Sequence, residues 1–495
     1  MAVRSSMLYG RSLLVCALVS ICHPLFADEA STSKRLEQAK RSEPELIAFL
    51  SRMPKGADLH NHVTGAIYSD FILDNAVKQG LYFDTKTSGF AKDSGDGRVP
   101  ASALLTNNAL LYQYLNKVSM RGWYPNTTSG HDHFFDTFDI IGSGFTGWST
   151  EDLLVEVLRR NQIQGVQYME LMTQCGPSEQ LNAFYQDPPP VDDLEKAYQA
   201  LRPKMAALAK AEPAYMNARA KTLAARLDPT RPIDVRYIMQ LNRLSTNSVF
   251  FSTACAAMTL MRADRRVVAL NIVAPEDHPN ARNNFDMQMK MLDWLWRRFG
   301  KPNITLHAGE LTLQYSPVEV MRDRIRKSIE VGHAKRIGHG VSIAWERDLP
   351  GLFKEMREKG IMVEICLTSN ASILGVSGLE HPFLLYWRAG IPLNLNTDDE
   401  GVSRSNLTNE LVRAVRTYNL HYSDLKEFAR NSIEYSFLPG QSLYRNRDYR
   451  KLIKGFEGVR KPQWSPLLSA QSAMRQSDKL RVQVRLERAW AQFER

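Results

Sequence analysis

Histidines two residues apart in a strand face the same way, so His60 and His62 of Asp58-Leu59-His60-Asn61-His62 can hold one cation between them. Related groups close later β-rich runs: His307 ends Ile304-Thr305-Leu306, His339 ends Arg336-Ile337-Gly338, and Asp398 and Asp399 end Leu393-Asn394-Leu395-Asn396-Thr397. Three imidazoles and one carboxylate leave a position of Zn2+ open to water, whose pKa the ion can lower to about 7. Such a site needs a proton carrier that does not bind the metal. Glu310, three residues past His307, is placed to carry a proton to a ring nitrogen of a substrate.

Groups so far apart in sequence meet only if strands deliver them to one face. The candidate strands are Ala57 to His62, Val166 to Met172, Asp234 to Leu241, Val267 to Val273, Ile304 to Leu306, Arg336 to Gly338, Met362 to Leu367 and Pro392 to Asn396. Amphipathic stretches lie between them, including Phe285 to Phe299, Leu352 to Lys359 and Leu407 to Tyr418, and Ser316, Pro317 and Glu319 read as an N-cap, first-turn proline and capping-box acid for another. The rhythm predicts an α/β fold, a (β/α)8 TIM barrel over 54–438, whose chemistry sits at the C-terminal strand ends. A long stretch after the first strand, about 66–150, reads as an insertion over the mouth, with Ser88 to Gly97 an exposed turn-rich segment. Residues 28–53 read as a helical arm and 439–495 as a helical extension.

Pro54-Lys55-Gly56-Ala57-Asp58-Leu59-His60-Asn61-His62, His307-Ala308-Gly309-Glu310, Ile337-Gly338-His339-Gly340 and Asn396-Thr397-Asp398-Asp399, in this order, resemble the motifs of the adenosine deaminase family in the amidohydrolase superfamily. The likeness runs from Pro54 to about Leu438, and the added segments make it look closest to the secreted, growth-factor-like branch. It implies one Zn2+ per subunit on His60, His62, His307 and Asp398. Glu310 would protonate purine N1, His339 would orient the attacking water or take its proton, and Asp399 would accept from N7. Hydroxide then attacks C6 and ammonia leaves, converting adenosine or 2'-deoxyadenosine to the inosine product. The Cys-x-x-Cys signature of the other zinc base deaminases is absent.

Two positions depart from the resembled pattern. Thr64 stands where an Asp often contacts the ribose, and Ala274 where a Gly commonly lets its backbone amide approach the purine. Sugar recognition is therefore open, with Glu276 or His278 available to take part of it or to be ordinary loop residues. Two rival functions follow: deamination of another aminopurine (a nucleotide, a free base or an N6-substituted purine), or a secreted barrel that engages a binding or signalling partner through its insertion or basic extension.

Other motifs read as structural. His131 and His133 would diverge on a helix, so His131-Asp132-His133-Phe134-Phe135 is expected to start a helix with Phe134, Phe135 and Phe138 as its apolar stripe; the alternative is a lid over the purine. His333 reads as a helix C-terminal residue, His381 as a helix start and Cys366 as a small buried hydrophobe. Asn126-Thr127-Thr128 and Asn406-Leu407-Thr408 fit glycosylation sequons.

The N-terminus carries Arg4 and Arg11, an apolar run from Leu13 to Cys22 and small residues around Ala27, the layout of a cleaved signal peptide over 1–27; the expectation is a secreted or periplasmic protein. That run is too short to span a bilayer, so stable membrane insertion is not expected. Losing Arg4 and Arg11 takes the formal charge from +10 to +8. Arg445, Arg447, Arg450, Lys451 and Lys454 are interleaved with Asp448 and Glu457, which reads as a solvated helical face and not as a nucleic-acid surface. Beyond the leader only Cys175, Cys255 and Cys366 remain, too few for a disulfide framework, although a Cys175–Cys255 bridge stays open. The residues give no oligomeric state; the resembled branch often forms dimers, which makes a homodimer one option.

Overall fold

The computed structural model describes residues 28–123 and 128–495; the leader and Asn126 of the first sequon lie outside them. Eight parallel strands make the centre: β1 (Gly56–His62), β2 (Val166–Thr173), β3 (Asp234–Asn242), β4 (Val267–Val273), β5 (Thr305–Ala308), β6 (Arg336–His339), β7 (Met362–Ile365) and β8 (Leu393–Leu395). They pair in sequence order as two four-stranded arcs, β1 to β4 and β5 to β8. Single bridges, Leu270 to Ile304 and Asn61 to Asp398, join the arcs. Side chains reinforce the second seam: Leu59 N–H donates to Asn396 Oδ1 at 2.9 Å and Thr397 Oγ1 to Asp58 Oδ2 at 2.5 Å. The result is the expected closed (β/α)8 barrel. Its strands are buried on both faces, all eight residues of β2 among them, as in a parallel sheet covered by helices.

Helices α1 (Glu29–Ala39) and α2 (Glu43–Arg52) form the N-terminal arm, which Asp28 caps by accepting from Ser31 N–H. Between β1 and β2 the insertion holds a three-stranded antiparallel sheet and, later, helix α3 (Gly130–Asp136). Here the expectation for Ser88 to Gly97 is corrected: Ser88 and Phe90 are buried and Phe90–Ala91 is a strand of that sheet, so only Lys92 to Asp96 are exposed.

The crossover helices are α4 (Thr150–Ile163), α5 (Leu194–Arg226), α6 (Asn247–Ala263), α7 (Pro279–Arg298), α8 (Arg324–Glu330), α9 (Leu349–Lys359) and α10 (Leu367–Leu374); α11 (Leu407–Tyr418) and α12 (Tyr422–Glu434) follow β8. Ser149 and Asp152 form a capping box on α4, and Asn406 of the second sequon caps α11, its side-chain oxygen accepting from Asn409 N–H. α11 buries Leu407, Leu411, Val412 and Val415 on one face.

Two expectations about helices fail. Pro317, not Ser316, takes the cap position; Ser316 Oγ is buried without a partner, and the helix runs only over Val318–Met321 before α8 begins. The C-terminal extension is α-helical only in α13 (Leu468–Gln476) and α14 (Asp478–Phe493). Apart from a 3-10 turn at Arg445–Arg447, its first part is irregular around its own small core of Leu443, Tyr444, Phe456, Val459, Leu480 and Val484, so the basic cluster from Arg445 to Lys454 is exposed turn and loop and not one α-helical face. Cys175, Cys255 and Cys366 are all buried and free, which removes the Cys175–Cys255 bridge. Among the described residues no helix is long and apolar enough to cross a membrane.

Candidate active site

The strand ends bring His60, His62, His307 and Asp398 to one centre. Nε2 of His307 lies 3.0 Å from that of His60 and 3.2 Å from that of His62, while Asp398 Oδ1 is 3.5 and 3.3 Å from the same two nitrogens. All four ligand atoms lie within 4.8 Å of one another. Donors held about 2.0–2.1 Å from a tetrahedral cation would stand roughly 3.3 Å apart, so the set fits a divalent metal.

The outward nitrogens support the same conclusion. Nδ1 of His60 meets Glu364 Oε2 at 2.6 Å, that of His62 meets Gln240 Oε1 at 2.6 Å, and that of His307 meets Asn271 Oδ1 at 2.9 Å. Each acceptor takes an Nδ1 proton and leaves the Nε2 lone pair facing inward. Glu364 is itself held by Arg336 Nε at 2.6 Å and Thr305 Oγ1 at 2.9 Å, and Arg336 continues to Glu170 at 2.6 Å. Burial raises the Glu364 pKa, but Arg336 and His60 outweigh it and hold the carboxyl down at about 2. Ser369 Oγ donates to Asp398 Oδ2 at 2.6 Å, turning the other oxygen toward the imidazoles.

Backbone strain gathers here. Asp398 at φ 59° and His339 at φ 67° adopt the left-handed conformation that L side chains rarely accept, which turns both side chains at the ends of their strands. Gly338 is demanded by close approach, since a Cβ there would sit 2.7 Å from His60 Cε1.

Glu310 lies beside the metal set and not in it. Its Oε1 is 3.6 Å from His339 Nδ1 and has no hydrogen-bond partner among the described residues. Burial, then the negative charges of Asp398 and Glu276, raise its pKa well above the usual carboxylate range. Asp399 is raised likewise, by burial first and by Asp398 beside it, and its Oδ1 is also unpartnered. His339 is lowered to about 3 by burial, although Asp398 opposes the shift.

The candidate sugar contacts divide. Thr64 is exposed in the short helix Val63–Ala66, and no side-chain hydrogen bond ties it down. Ala274 holds φ 83°, so the backbone keeps a glycine-like turn at the cost of strain. Glu276 is 2% exposed, its Oε2 accepts from Glu310 N–H at 2.9 Å, and Arg243 and Arg324 lie 3.7 and 3.8 Å from its Oε1. This places Glu276 against the Glu310 backbone. His278 caps α7, accepting from Asn280 N–H. His131 lies in the first turn of α3 as expected, with Phe134 buried, and it also reaches Asp277 Oδ1 at 2.9 Å while its ring stacks on Tyr315, so α3 is strapped to the loop after β4. His333 instead lies in a φ-positive turn after α8, stacked on Trp296. Cys366 is buried with its thiol pushed well up by that burial, although its sulfur reaches Asp398 and His339.

Glu364, Gln240, Asn271 and Ser369 escaped the reading of the sequence. The first three are polar residues inside apolar strand runs, and buried polar groups require partners; that was the available signal.

A (β/α)8 barrel with a His3Asp metal set at its C-terminal mouth defines the amidohydrolase class. Within it the chain belongs to the adenosine deaminase family, whose sequence profile, described as Adenosine deaminase, matches residues 126–448. That match begins after His60 and His62, which the fold itself brings to the site. Adenosine deaminase from Clostridium perfringens is 37% identical over 135 residues, 27% of this chain and 37% of its own length. Aminodeoxyfutalosine deaminase from Streptomyces coelicolor is 37% identical over 139 residues, 28% of this chain and 33% of its own length. The chain thus spans well under two thirds of these curated relatives. Arabidopsis N6-mAMP deaminase shares the fold at TM-score 0.52 and 21% identity, covering 79% of this chain and 95% of that one.

Proposed function

We propose that the protein is a zinc-dependent deaminase that hydrolyses the 6-amino group of adenosine or 2'-deoxyadenosine, releasing ammonia. The observation that carries this reading is the convergence of His60, His62, His307 and Asp398 on one centre with Glu310 alongside but unligated. When bound, the cation supplies a Lewis acid that brings the ionisation of water near neutrality. Glu310 delivers a proton to purine N1, which makes C6 electrophilic, and then carries the proton that leaves with ammonia. N7 of a purine nucleoside bears a lone pair and no proton. Asp399 therefore donates to N7, reversing the direction expected from the sequence, and its raised pKa favours the protonated carboxyl that this requires. Water supplies the oxygen that replaces the amine, so the equation balances as nucleoside plus water to inosine product plus ammonia.

A second reading is favoured by Thr64, which offers no carboxylate for a ribose: the substrate is then another aminopurine, such as a nucleotide, free base or N6-substituted compound. The names of the Streptomyces and Arabidopsis proteins lend support to that breadth. Relative kcat/KM across adenosine, AMP, adenine and an N6-methyl purine decides between the two, because binding energy to sugar or phosphate enters there. Loss of the 6-amino chromophore with zinc-loaded protein tests both; inertness to the whole panel removes the deaminase reading. The leader residues support placing this activity outside the cytoplasm, which N-terminal sequencing of exported protein checks.

A further inference from the structure

His339 stands at the centre, yet nothing so far fixes which of its ring nitrogens carries the proton. A chain of three hydrogen bonds does. The backbone N–H of Phe383 can only donate, and it points at His381 Nδ1 at 3.1 Å. Nδ1 of His381 is therefore an acceptor, and the proton of the neutral ring sits on Nε2. That Nε2 lies 3.1 Å from the Asn370 side chain, which must present its oxygen to it. The Asn370 amide nitrogen is then turned the other way, and it lies 3.0 Å from His339 Nδ1. An amide N–H donates, so His339 Nδ1 accepts, and the His339 proton is on Nε2. This nitrogen faces the centre, 3.9 Å from Asp398 Oδ2, and has no other partner among the described residues.

We propose that Asn370 and His381 are positioning residues that lock His339 as an Nε2–H tautomer, a hydrogen-bond donor toward the oxygen that adds to the purine carbon. Each link is buried: His339, Asn370 and His381 are at most 2% exposed, so water does not compete for these bonds. Burial also lowers His381 to about 4, which keeps its ring neutral as the chain requires. Asn370 lies on α10 and His381 just before the helix Phe383–Arg388, so two elements outside the metal set determine the direction of one proton. Proton acceptance then falls to Glu310 and not to His339. This last role rests on the proposed deaminase reading, whereas the tautomer does not.

Ring-nitrogen NMR of zinc-loaded protein labelled with 15N-histidine, with His339 assigned by comparison with His339→Gln, tests the lock directly. The wild type is expected to show unprotonated Nδ1 and protonated Nε2. Asn370→Asp offers only acceptor oxygens and is expected to invert that pattern. It should lower kcat about 100-fold with KM changed less than about threefold, as expected when an orienting partner selects the wrong tautomer. His381→Gln can still donate to Asn370 and should keep the wild-type pattern, whereas His381→Leu should lose it. Protonated Nδ1 in the wild type, or an unchanged tautomer in folded Asn370→Asp, overturns the proposal; if that variant does not fold, the His381→Gln and His381→Leu spectra decide it, and identical patterns overturn it. A wild type inert to every aminopurine would instead remove the deaminase reading while the spectra still decide the tautomer.

Discussion

Glu310 stands outside the candidate metal-ligand set because its backbone is fixed before its side chain begins. Its N–H is held by Glu276, and Gly309 ahead of it adopts φ 75°, so the carboxyl lies alongside His339. Glu310→Gln keeps the shape and removes proton transfer. It should lower kcat by about 10²–10⁴-fold with zinc content unchanged, read by steady-state kinetics and metal analysis; a kcat near wild type would remove Glu310 as the proton carrier. Ala274 carries the other residue-scale prediction. Its φ of 83° strains an L side chain, so Ala274→Gly should stabilise the fold by about 1 kcal/mol, seen as a higher denaturation midpoint. A lower midpoint would mean that the methyl group contributes more by packing than its strain costs.

At the scale of elements, the insertion acts through α3. Ser129 caps it, Gly130 is pressed against the Ser372 backbone of α10 on one side of the mouth, and His131 reaches Asp277 on the other. Loss of that strap should loosen substrate retention without touching the reacting groups. His131→Ala is expected to raise KM about tenfold, worth about 1.4 kcal/mol for one charge-assisted bond, with kcat nearly unchanged. Unchanged KM would show that α3 holds its place by apolar packing alone. This scale is also where sequence patterns served least well. α5 runs unbroken through Pro203 and Pro213, which ordinarily argue against a helix interior, so its sequence does not announce a helix. The helix expected after Ser316 breaks instead before Arg324, whose guanidinium lies over Phe285 at 4.0 Å and near Glu276. Tertiary contacts overrode local capping there.

For the whole molecule, Glu487 of α14 gathers the C-terminal extension onto the barrel. It binds Arg430 of α12 at 2.7 Å, Arg460 of the irregular segment at 2.8 Å and the Tyr444 hydroxyl at 2.8 Å. Burial raises its pKa, but the two arginines outweigh this and bring it from an ordinary 4.5 to about 2. Between those values the unfolded chain binds more protons than the folded one. The contribution, at most about 3 kcal/mol, is therefore present in full above about pH 4.5 and lost as pH falls through about 2. Glu487→Gln should be less stable than wild type at neutral pH, and denaturant titrations should show the gap closing toward pH 2. A gap that stays constant with pH would show that charge is not what Glu487 contributes.

The residue types at strand ends made the barrel and the candidate metal set legible, with Glu310 beside it, because a period of two and the spacing of β-rich runs are local properties of a chain. Strand positions were legible for the same reason, and α11 matches the predicted Leu407 to Tyr418. Tertiary structure alone decided the partners that orient those groups. Glu364, Gln240 and Asn271 gain meaning only when β7, β3 and β4 curve around one axis and place them behind three imidazoles. It also set Glu276 against the Glu310 backbone and made His131 a strap to Asp277. Orientation depends on which atoms meet across the barrel, and that is set by closure of the sheet rather than by neighbours in sequence.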